Sequence, residues 1–256
     1  MSLLETSLSL HLHEVGGGRV ERTGSLTRLK LVGAVRTAYS NAQLDDYTGL
    51  PRRAFPWRPP LRLTVRARYS HPAEELRGTA GFGFWNNPIP PAMRGLPRLP
   101  RAAWYFFSAP PSNMALAMDV PGPGWKAATF DAARPAFYAL APLALPGFLL
   151  MRIPACYRAL WPLAQRAIGV SEAMLPIGMD AWHTYALEWW PKQVRFFVDG
   201  AHVHTAPCAP SGPLGFVVWL DNQYAVVTPQ GRLGFGYVDM PEERWLALES
   251  VQIERL

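Results

Sequence analysis

The stretch WHTYALEWWPKQVRFFVDG, residues 182–200, says most about the architecture of this chain. It holds two short runs rich in aromatic and β-branched residues, separated by a turn that starts at Pro191. A second turn follows at Asp199-Gly200, a dipeptide typical of tight β-hairpins. The stretch therefore predicts two strands joined by one turn and a third strand after the next.

A two-residue period extends outward from this stretch over most of the chain. Residues 61–69, LRLTVRARY, alternate apolar side chains with Arg62, Thr64, Arg66 and Arg68, which predicts a half-buried strand with an arginine-lined outer face. Many short strands with frequent turns, in a chain with 26 prolines and 21 glycines, indicate a sandwich or a barrel. Other strands are predicted at 7–13, 79–85, 103–107, 114–120, 183–190, 194–198, 202–205, 214–220, 232–238 and 245–255.

Residues 131–178 break the pattern, because they are rich in alanine, leucine and proline. From Pro135 to Met151 there is no charged residue, but prolines interrupt the run and a membrane span is not expected. Residues 154–170 predict a short amphipathic helix with Leu160 and Leu163 on its apolar face, together with Ala164 and Ala167. The segment is either a helical insertion packed on the sandwich, a lid over a cleft, or a surface that touches a bilayer or a partner.

The bulk properties fit a single domain spanning residues 1–256. The formal charge is +6, but the arginines are scattered and no nucleic-acid partner is expected. Cys156 and Cys208 make neither a disulfide framework nor a metal knuckle. No secretory signal is visible, so a cytoplasmic location is the default expectation, or a secreted one if a signal was removed.

Several segments resemble glycoside hydrolase family 16, the laminarinases, lichenases and agarases. The resemblance implies an all-β, concanavalin A-like β-sandwich (jelly roll) with a helical, Pro-rich insertion around 131–178. It covers roughly residues 26–108 and 181–256. The segments that carry it are YSNAQL (39–44), PLRLTVRARY (60–69), GTAGFGFWNNP (78–88), AWHTYALEWWPKQVRFFVDGAHV (181–203), GPLGFVVWLDNQYAVV (212–227) and LALESVQIERL (246–256).

The chemistry of that family needs a pair of carboxylates, carried on one strand in a motif of the form E-x-D-x-(x)-E. In this chain the place of that strand is taken by RAAWYFFSAPP (101–111), and no Asp or Glu occurs between Glu75 and Asp119. Hydrolysis by the family mechanism is therefore not expected. Depending on the register, the face that would carry the acids shows either Trp104, Phe106 and Ser108 or Tyr105 and Phe107.

An aromatic concave cleft is the predicted site, because rings stack on sugar faces and clasp apolar ligands equally well. His183 and Asp119 are possible acid/base residues. No cofactor is expected; a structural calcium is implied by the resemblance alone, and no ligand loop for it is readable. The predicted ligand-binding residues are Asn41, Trp85, Asn86, Trp104, Phe106, Trp219, Asp221, Asn222 and Tyr224.

Four hypotheses about function remain open from the sequence. The first is a non-hydrolytic sandwich that binds a carbohydrate or another small ligand in the aromatic cleft. The second is an enzyme of different chemistry that acts on an apolar small molecule under a lid formed by 131–178. The third is a glycoside hydrolase with atypical carboxylates, such as Asp119 or Asp221, and the fourth is peripheral binding to a membrane or a partner through 135–168.

Overall fold

The computed structural model describes residues 9–88 and 98–256. Sixteen strands and three helices lie in this part of the chain, together with short 3-10 turns at Arg52–Ala54 and Ala141–Leu143. The strands are β1 His11–Val15, β2 Gly18–Thr23, β3 Leu26–Leu31, β4 Asn41–Asp45, β5 Leu61–Tyr69, β6 Thr79–Trp85, β7 Arg101–Ser108, β8 Gly124–Asp131, β9 Ser171–Met174, β10 His183–Trp189, β11 Val194–Val198, β12 Ala201–Ala206, β13 Gly215–Asp221, β14 Gln223–Val227, β15 Leu233–Tyr237 and β16 Arg244–Arg255. The helices are α1 Pro135–Leu140, α2 Ala144–Leu150 and α3 Pro154–Ala167.

Two seven-stranded antiparallel sheets form a sandwich. Sheet A has the strand order β1-β4-β13-β6-β7-β8-β9, and sheet B has the order β12-β11-β10-β5-β16-β3-β2. Strands β14 and β15 make a separate two-stranded hairpin. The prediction of an all-β sandwich is confirmed.

The hairpin predicted from residues 182–200 is the central part of sheet B. Strand β10 pairs with β11 through Trp189 and Val194, and β11 continues into β12. Asp199 and Gly200 have φ values of 50° and 80°, so both central turn positions are left-handed. Such a turn matches the twist of the flanking strands, which explains why Asp-Gly stands there.

Alternating apolar side chains from the inner faces of both sheets fill one core. Tyr105 joins the two layers, because its hydroxyl lies 2.8 Å from the carbonyl oxygen of Ala186 and accepts the Phe197 N–H at 3.1 Å. That contact falls where strand β11 shifts register between Phe196 and Phe197. A buried phenol is thus satisfied by sheet B while its ring fills the core from sheet A.

The segment 131–178 is partly sheet rather than wholly an insertion. Residue 131 ends β8, and Ser171–Met174 is β9, the edge strand of sheet A. Only Pro135–Ala167 is helical, in three helices instead of the one expected. The strand predicted at 114–120 is wrong: these residues are irregular, and the strand lies at Gly124–Asp131. The predicted strand 7–13 falls partly outside the described residues, and β1 begins at His11.

Helix α3 packs on only part of its predicted face. Ala167 is buried and Ala164 packs against the Trp161 cluster, as predicted, but Leu160 and Leu163 are exposed. Trp161, outside the predicted face, is buried and donates its indole N–H to the Leu116 carbonyl at 2.7 Å. Trp161, Leu116 and Met151 form a small apolar cluster of their own, distinct from the main core. The Trp161 indole explains this orientation, because burial removes its large ring from water while its N–H keeps a hydrogen-bond partner. Across the described ranges, none of the helices has the length and apolar character needed to cross a bilayer.

Candidate functional site

Four aromatic side chains lie together on the outer face of sheet A: Trp85, Trp104, Phe106 and Trp219. We call this cluster the ring platform. The ring centroids of Trp104 lie 6.2 Å from Trp85, 5.3 Å from Phe106 and 5.3 Å from Trp219. Trp219 is mostly buried and the other three rings are partly exposed. The platform is therefore a close-packed aromatic surface that still meets solvent.

The register of β7 decides which of its side chains form the platform. Tyr105 and Phe107 point into the main core, so Trp104, Phe106 and Ser108 lie on the opposite face. These are the positions where the family resemblance would place catalytic carboxylates. Aromatic rings therefore stand where the family motif has acids.

Two glycines of β6 make room for the rings. Gly81 pairs with Phe106 on one side and with Trp219 on the other, and Gly83 pairs with Trp104. A Cβ at Gly81 would lie 2.8 Å from Cη2 of Trp219, and one at Gly83 would lie 2.6 Å from the Trp104 Cβ. The glycines thus let neighbouring rings pack over a strand that has no side chains at these positions.

Polar groups satisfy the indole N–H groups at the edges of the platform. Trp85 donates to the Tyr47 hydroxyl at 2.7 Å, and Trp219 donates to the Thr79 hydroxyl at 3.0 Å. The Thr79 hydroxyl in turn donates to Asp221 at 2.7 Å. A hydrogen-bonded chain therefore runs from the platform to a buried carboxyl group.

Asp221 forms a polar corner beside the platform, with Asn41 opposite it on β4. Burial raises the pKa of Asp221 to about 6, although the hydrogen bonds from Thr79 and from the Gln223 N–H oppose the shift. The Tyr39 hydroxyl lies 3.5 Å from the second carboxyl oxygen. The Asn41 Oδ1 is buried and has no hydrogen-bond partner among the described residues. This corner thus has a buried acceptor without a partner, which a ligand hydroxyl could reach only if the side chains that cover it move.

Three other residues predicted to bind a ligand make structural contacts instead. Asn222 is fully buried; its amide donates to the carbonyls of Val35, Ala38 and Val238, and its oxygen accepts the Ser40 N–H. Asn86 closes the ends of the β6–β7 hairpin through Leu99 and Arg101. The Tyr224 ring lies across Gly236 in the small hairpin. Asn222 and Asn86 therefore hold loops in place through hydrogen bonds, and Tyr224 packs within the small hairpin.

The two predicted acid/base candidates lie away from the platform. Asp119 is an exposed residue with a φ of 61° in the irregular segment 114–120. His183 is on β10 of sheet B, and its Nδ1 lies 2.6 Å from the Asp199 carboxylate at the hairpin turn. Nothing in this geometry brings either side chain to Trp104 or Phe106.

A buried ion pair next to the platform was missed at the sequence level. Lys126 lies directly opposite Phe106 on β8, is 1% exposed, and its Nζ lies 3.0 Å from the Glu172 carboxylate on β9. Burial raises the pKa of Glu172, against the attraction of the lysine. One signal was available, since Lys126 is one of three lysines in an arginine-rich chain and stands in the apolar run GWKAATF.

Among the described residues, Asp45, Asp221 and Glu172 stand at well-separated backbone positions on the outer face of sheet A. Asp45 pairs with Val217 and Asp221 pairs with Asn41, so the two acids are four residues apart along paired strands, about 13 Å. Glu172 is four strands away from Asp221, about 19 Å. Both separations exceed the ~5–9.5 Å of retaining and inverting enzymes.

The structural calcium that the resemblance implied has no cluster of acidic side chains among the described residues. In the ranges 9–88 and 98–256, no three His, Cys, Asp or Glu side chains come together in a group that could hold a metal ion. His202 and His204 instead contact Thr205 and Ser171.

Two surface cavities in the described part of the chain lie away from the platform. One, of about 340 Å³, is lined by Arg152, Gln230 and Arg232 between the insertion and the small hairpin. The other, of about 520 Å³, opens at the end of the sandwich near Ser108 and Trp125. Neither of these two cavities is an enclosed apolar space beneath the 131–178 segment.

No protein-family model and no curated protein sequence matches the chain. Among solved structures, it is similar to an endo-β-galactosidase from Clostridium perfringens that releases GlcNAcα1-4Gal, with 12% identity and a TM-score of 0.49 over 92% of this chain and 53% of the other. It thus spans about half of that enzyme's length.

Two further similar structures are glucanase-like. A pseudo-β-1,3-glucanase of Mycobacterium tuberculosis has 11% identity and a TM-score of 0.48, over 91% of this chain and 76% of the other. A prokaryotic lichenase derived from a mouse hindgut metagenome has 11% identity and a TM-score of 0.47, over 93% and 83%. Identities this low concern the fold alone.

Proposed function

We propose that this protein binds a carbohydrate chain on the ring platform and does not hydrolyse it by the mechanism of glycoside hydrolase family 16. The observation that carries the proposal is the outward position of Trp104 and Phe106 on β7, where that mechanism needs carboxylates. Flat, partly exposed rings offer stacking surface, and the strand offers no acid. The geometry therefore favours holding a sugar over cleaving it.

The polar corner supports a carbohydrate over a purely apolar ligand. The unpartnered Asn41 Oδ1 is an acceptor, and Asp221 has a hydroxyl-rich surrounding formed by Thr79 and Tyr39. Sugars present apolar faces to rings and hydroxyls to such groups, so one ligand could use both features. An apolar small molecule would use the rings and leave Asn41 unsatisfied.

A titration of intrinsic tryptophan fluorescence with β-1,3- and mixed β-1,3-1,4-glucan oligosaccharides tests the proposal. Binding should quench or shift the emission, and Trp104→Ala and Phe106→Ala should each weaken it about tenfold or more, equivalent to ~1.4 kcal/mol. A reducing-end assay on the same samples should show no hydrolysis.

Trp245→Ala is the matched control, because Trp245 is a partly exposed ring on sheet B. It should leave the affinity unchanged. An unchanged emission with every glucan, or an equal loss of affinity in the control, would overturn the carbohydrate proposal. Binding of an apolar dye that is lost in Trp104→Ala, without any sugar binding, would instead favour an apolar ligand on the same platform.

A further inference from the structure

The helical insertion and the small hairpin, which touch each other, both expose large apolar side chains. Leu145 is 75% exposed on α2, and Leu233 and Phe235 are 73% and 61% exposed on β15. Leu149 and Ile153 extend the surface along the insertion. We call these five residues the apolar patch. Single exposed leucines are common on protein surfaces, but a cluster of this kind on two adjoining elements marks an interaction site.

Contacts at the base of the patch hold the two elements side by side. A Cβ at Gly231, in the β14–β15 turn, would lie 2.9 Å from the Phe148 Cβ on α2. The Arg152 guanidinium donates to the Gln230 carbonyl at 3.4 Å. The cavity of about 340 Å³ lined by Arg152, Gln230 and Arg232 lies at this junction. Two guanidinium groups therefore surround a depression within an apolar surface.

The segments that form the patch carry charge of one sign. Between Asp131 and Glu172 the sequence contains no acidic residue but four arginines, at positions 134, 152, 158 and 166. Between Asp221 and Asp239 it contains Arg232 and again no acid. Asp131 lies beside Arg134 and Asp119 beside Tyr157, but the depression itself is lined by Arg152, Gln230 and Arg232. An occupant that matches these segments is therefore apolar and anionic.

A second copy of the chain fits this surface poorly. A two-fold interface would bring the patch against itself, so the guanidinium groups of Arg152 and Arg232 would face each other without carboxylates. An anionic bilayer provides what the patch lacks, since lipid phosphates pair with guanidinium groups and the acyl boundary accepts leucine and phenylalanine side chains.

We infer that the apolar patch docks this protein onto the surface of an anionic phospholipid bilayer, with a lipid phosphate between Arg152 and Arg232. Helices α1 and α2, of six and seven residues, would lie in the interface with Leu145 and Leu149 inserted. The ring platform is on sheet A and takes no part in this contact, so the inference does not depend on carbohydrate binding.

Flotation with vesicles of phosphatidylcholine, alone and mixed equally with phosphatidylglycerol, tests the inference. The protein should float with the mixed vesicles, and high salt should release it. Its affinity for the neutral vesicles should be lower by roughly tenfold or more. The double variants Leu145→Ser/Leu233→Ser and Arg152→Gln/Arg232→Gln should each reduce binding roughly tenfold or more. All four side chains are exposed, so circular dichroism should show an unchanged fold.

Arg22→Gln/Arg255→Gln is the matched control, because it removes the same charge from exposed positions on sheet B. It should leave binding unchanged. The inference is overturned if the protein fails to float with the anionic vesicles, or if the control loses as much binding as the patch variants. It is also overturned if light scattering shows a dimer that Leu145→Ser/Leu233→Ser dissociates while vesicle binding is absent.

Discussion

The two sheets expose aromatic rings on their outer faces in different ways. On sheet B, arginines cover the indoles: Arg68 lies 5.5 Å from the ring of Trp182 and 5.1 Å from that of Trp245. On sheet A, Trp104 and Phe106 contact other rings, and the arginine-over-ring contacts in residues 9–88 and 98–256 all belong to sheet B. The rings of sheet B thus have faces covered by cations, whereas Trp104 and Phe106 are covered only in part, by neighbouring rings.

The ion pairs on the outer faces of the two sheets also differ in their exposure to solvent. On sheet B, Arg66 pairs with Glu249, and both side chains are about half exposed. On sheet A, Lys126 and Glu172 are buried beside the platform. Water and salt screen the Arg66–Glu249 pair but hardly reach the Lys126–Glu172 pair. Breaking the buried pair should therefore cost much more folding stability than breaking the exposed one. The face that carries the ring platform is thus also the one with a costly buried charge pair.

Removing one partner of the buried pair gives the largest expected effect. Glu172→Gln leaves the Lys126 ammonium buried without a counter-charge, which should cost about 3–5 kcal/mol of unfolding free energy. Glu249→Gln, the equivalent change on sheet B, should cost about 1 kcal/mol or less. Urea unfolding at pH 7 measures both. Lys126→Met/Glu172→Leu should recover most of the loss; equal costs for the two single variants would contradict the comparison.

Filling the glycine strand under the platform should have the next largest effect. A Cβ at Gly81 would lie 2.3 Å from the Tyr105 carbonyl oxygen and 2.8 Å from Trp219, so Gly81→Val should destabilise the fold by about 3 kcal/mol and disturb the rings. Gly147→Ala, in open space on α2, is the control and should be neutral or slightly stabilising. Thermal unfolding with tryptophan emission reports both effects, and an unshifted emission in Gly81→Val would show that the rings do not need the glycine.

The polar corner should make stability depend on pH in the acid range. Burial raises the pKa of Asp221 from 3.8 to about 6, so the folded state holds this proton more tightly than the unfolded state. Unfolding free energy should therefore fall as pH rises from about 4 to about 6 and then level off, by roughly 2–3 kcal/mol for this group. Asp221→Asn should lack this component. Urea unfolding at several pH values gives the unfolding free energy of the wild type and of Asp221→Asn. If the two free energies change with pH in parallel, the raised pKa of Asp221 is refuted.

The smallest expected effect tests the arginine cover on sheet B. Arg68→Gln removes a guanidinium from the faces of both Trp182 and Trp245, which should cost about 1 kcal/mol of stability. Affinity for any ligand of the ring platform should not change, since the substitution is on the other sheet. A change in that affinity would mean that the two outer faces are not independent.

The sequence predicted the sandwich well because most of its strands bury one face. Apolar and polar residues alternate along such strands, and this pattern can be seen in the sequence. Residues 61–69 and 182–200 follow that rule and form β5 and the β10–β11 hairpin. Strand β8 was missed because its outer face is itself covered, so apolar Ala128 and Phe130 stand on that face and break the alternation. The helices α1 and α2 were missed because their leucines are exposed rather than turned to a core.

What the sequence determined by itself was the two-layer architecture and the lack of acids on the strand where the family chemistry needs them. Both are properties of one segment at a time, namely its period and its composition. Only the tertiary structure decided that Trp104 and Phe106 face outward, that Asn222 and Asn86 anchor loops, and that Lys126 meets Glu172. These outcomes depend on strand register and on partners far along the chain, which no local pattern encodes.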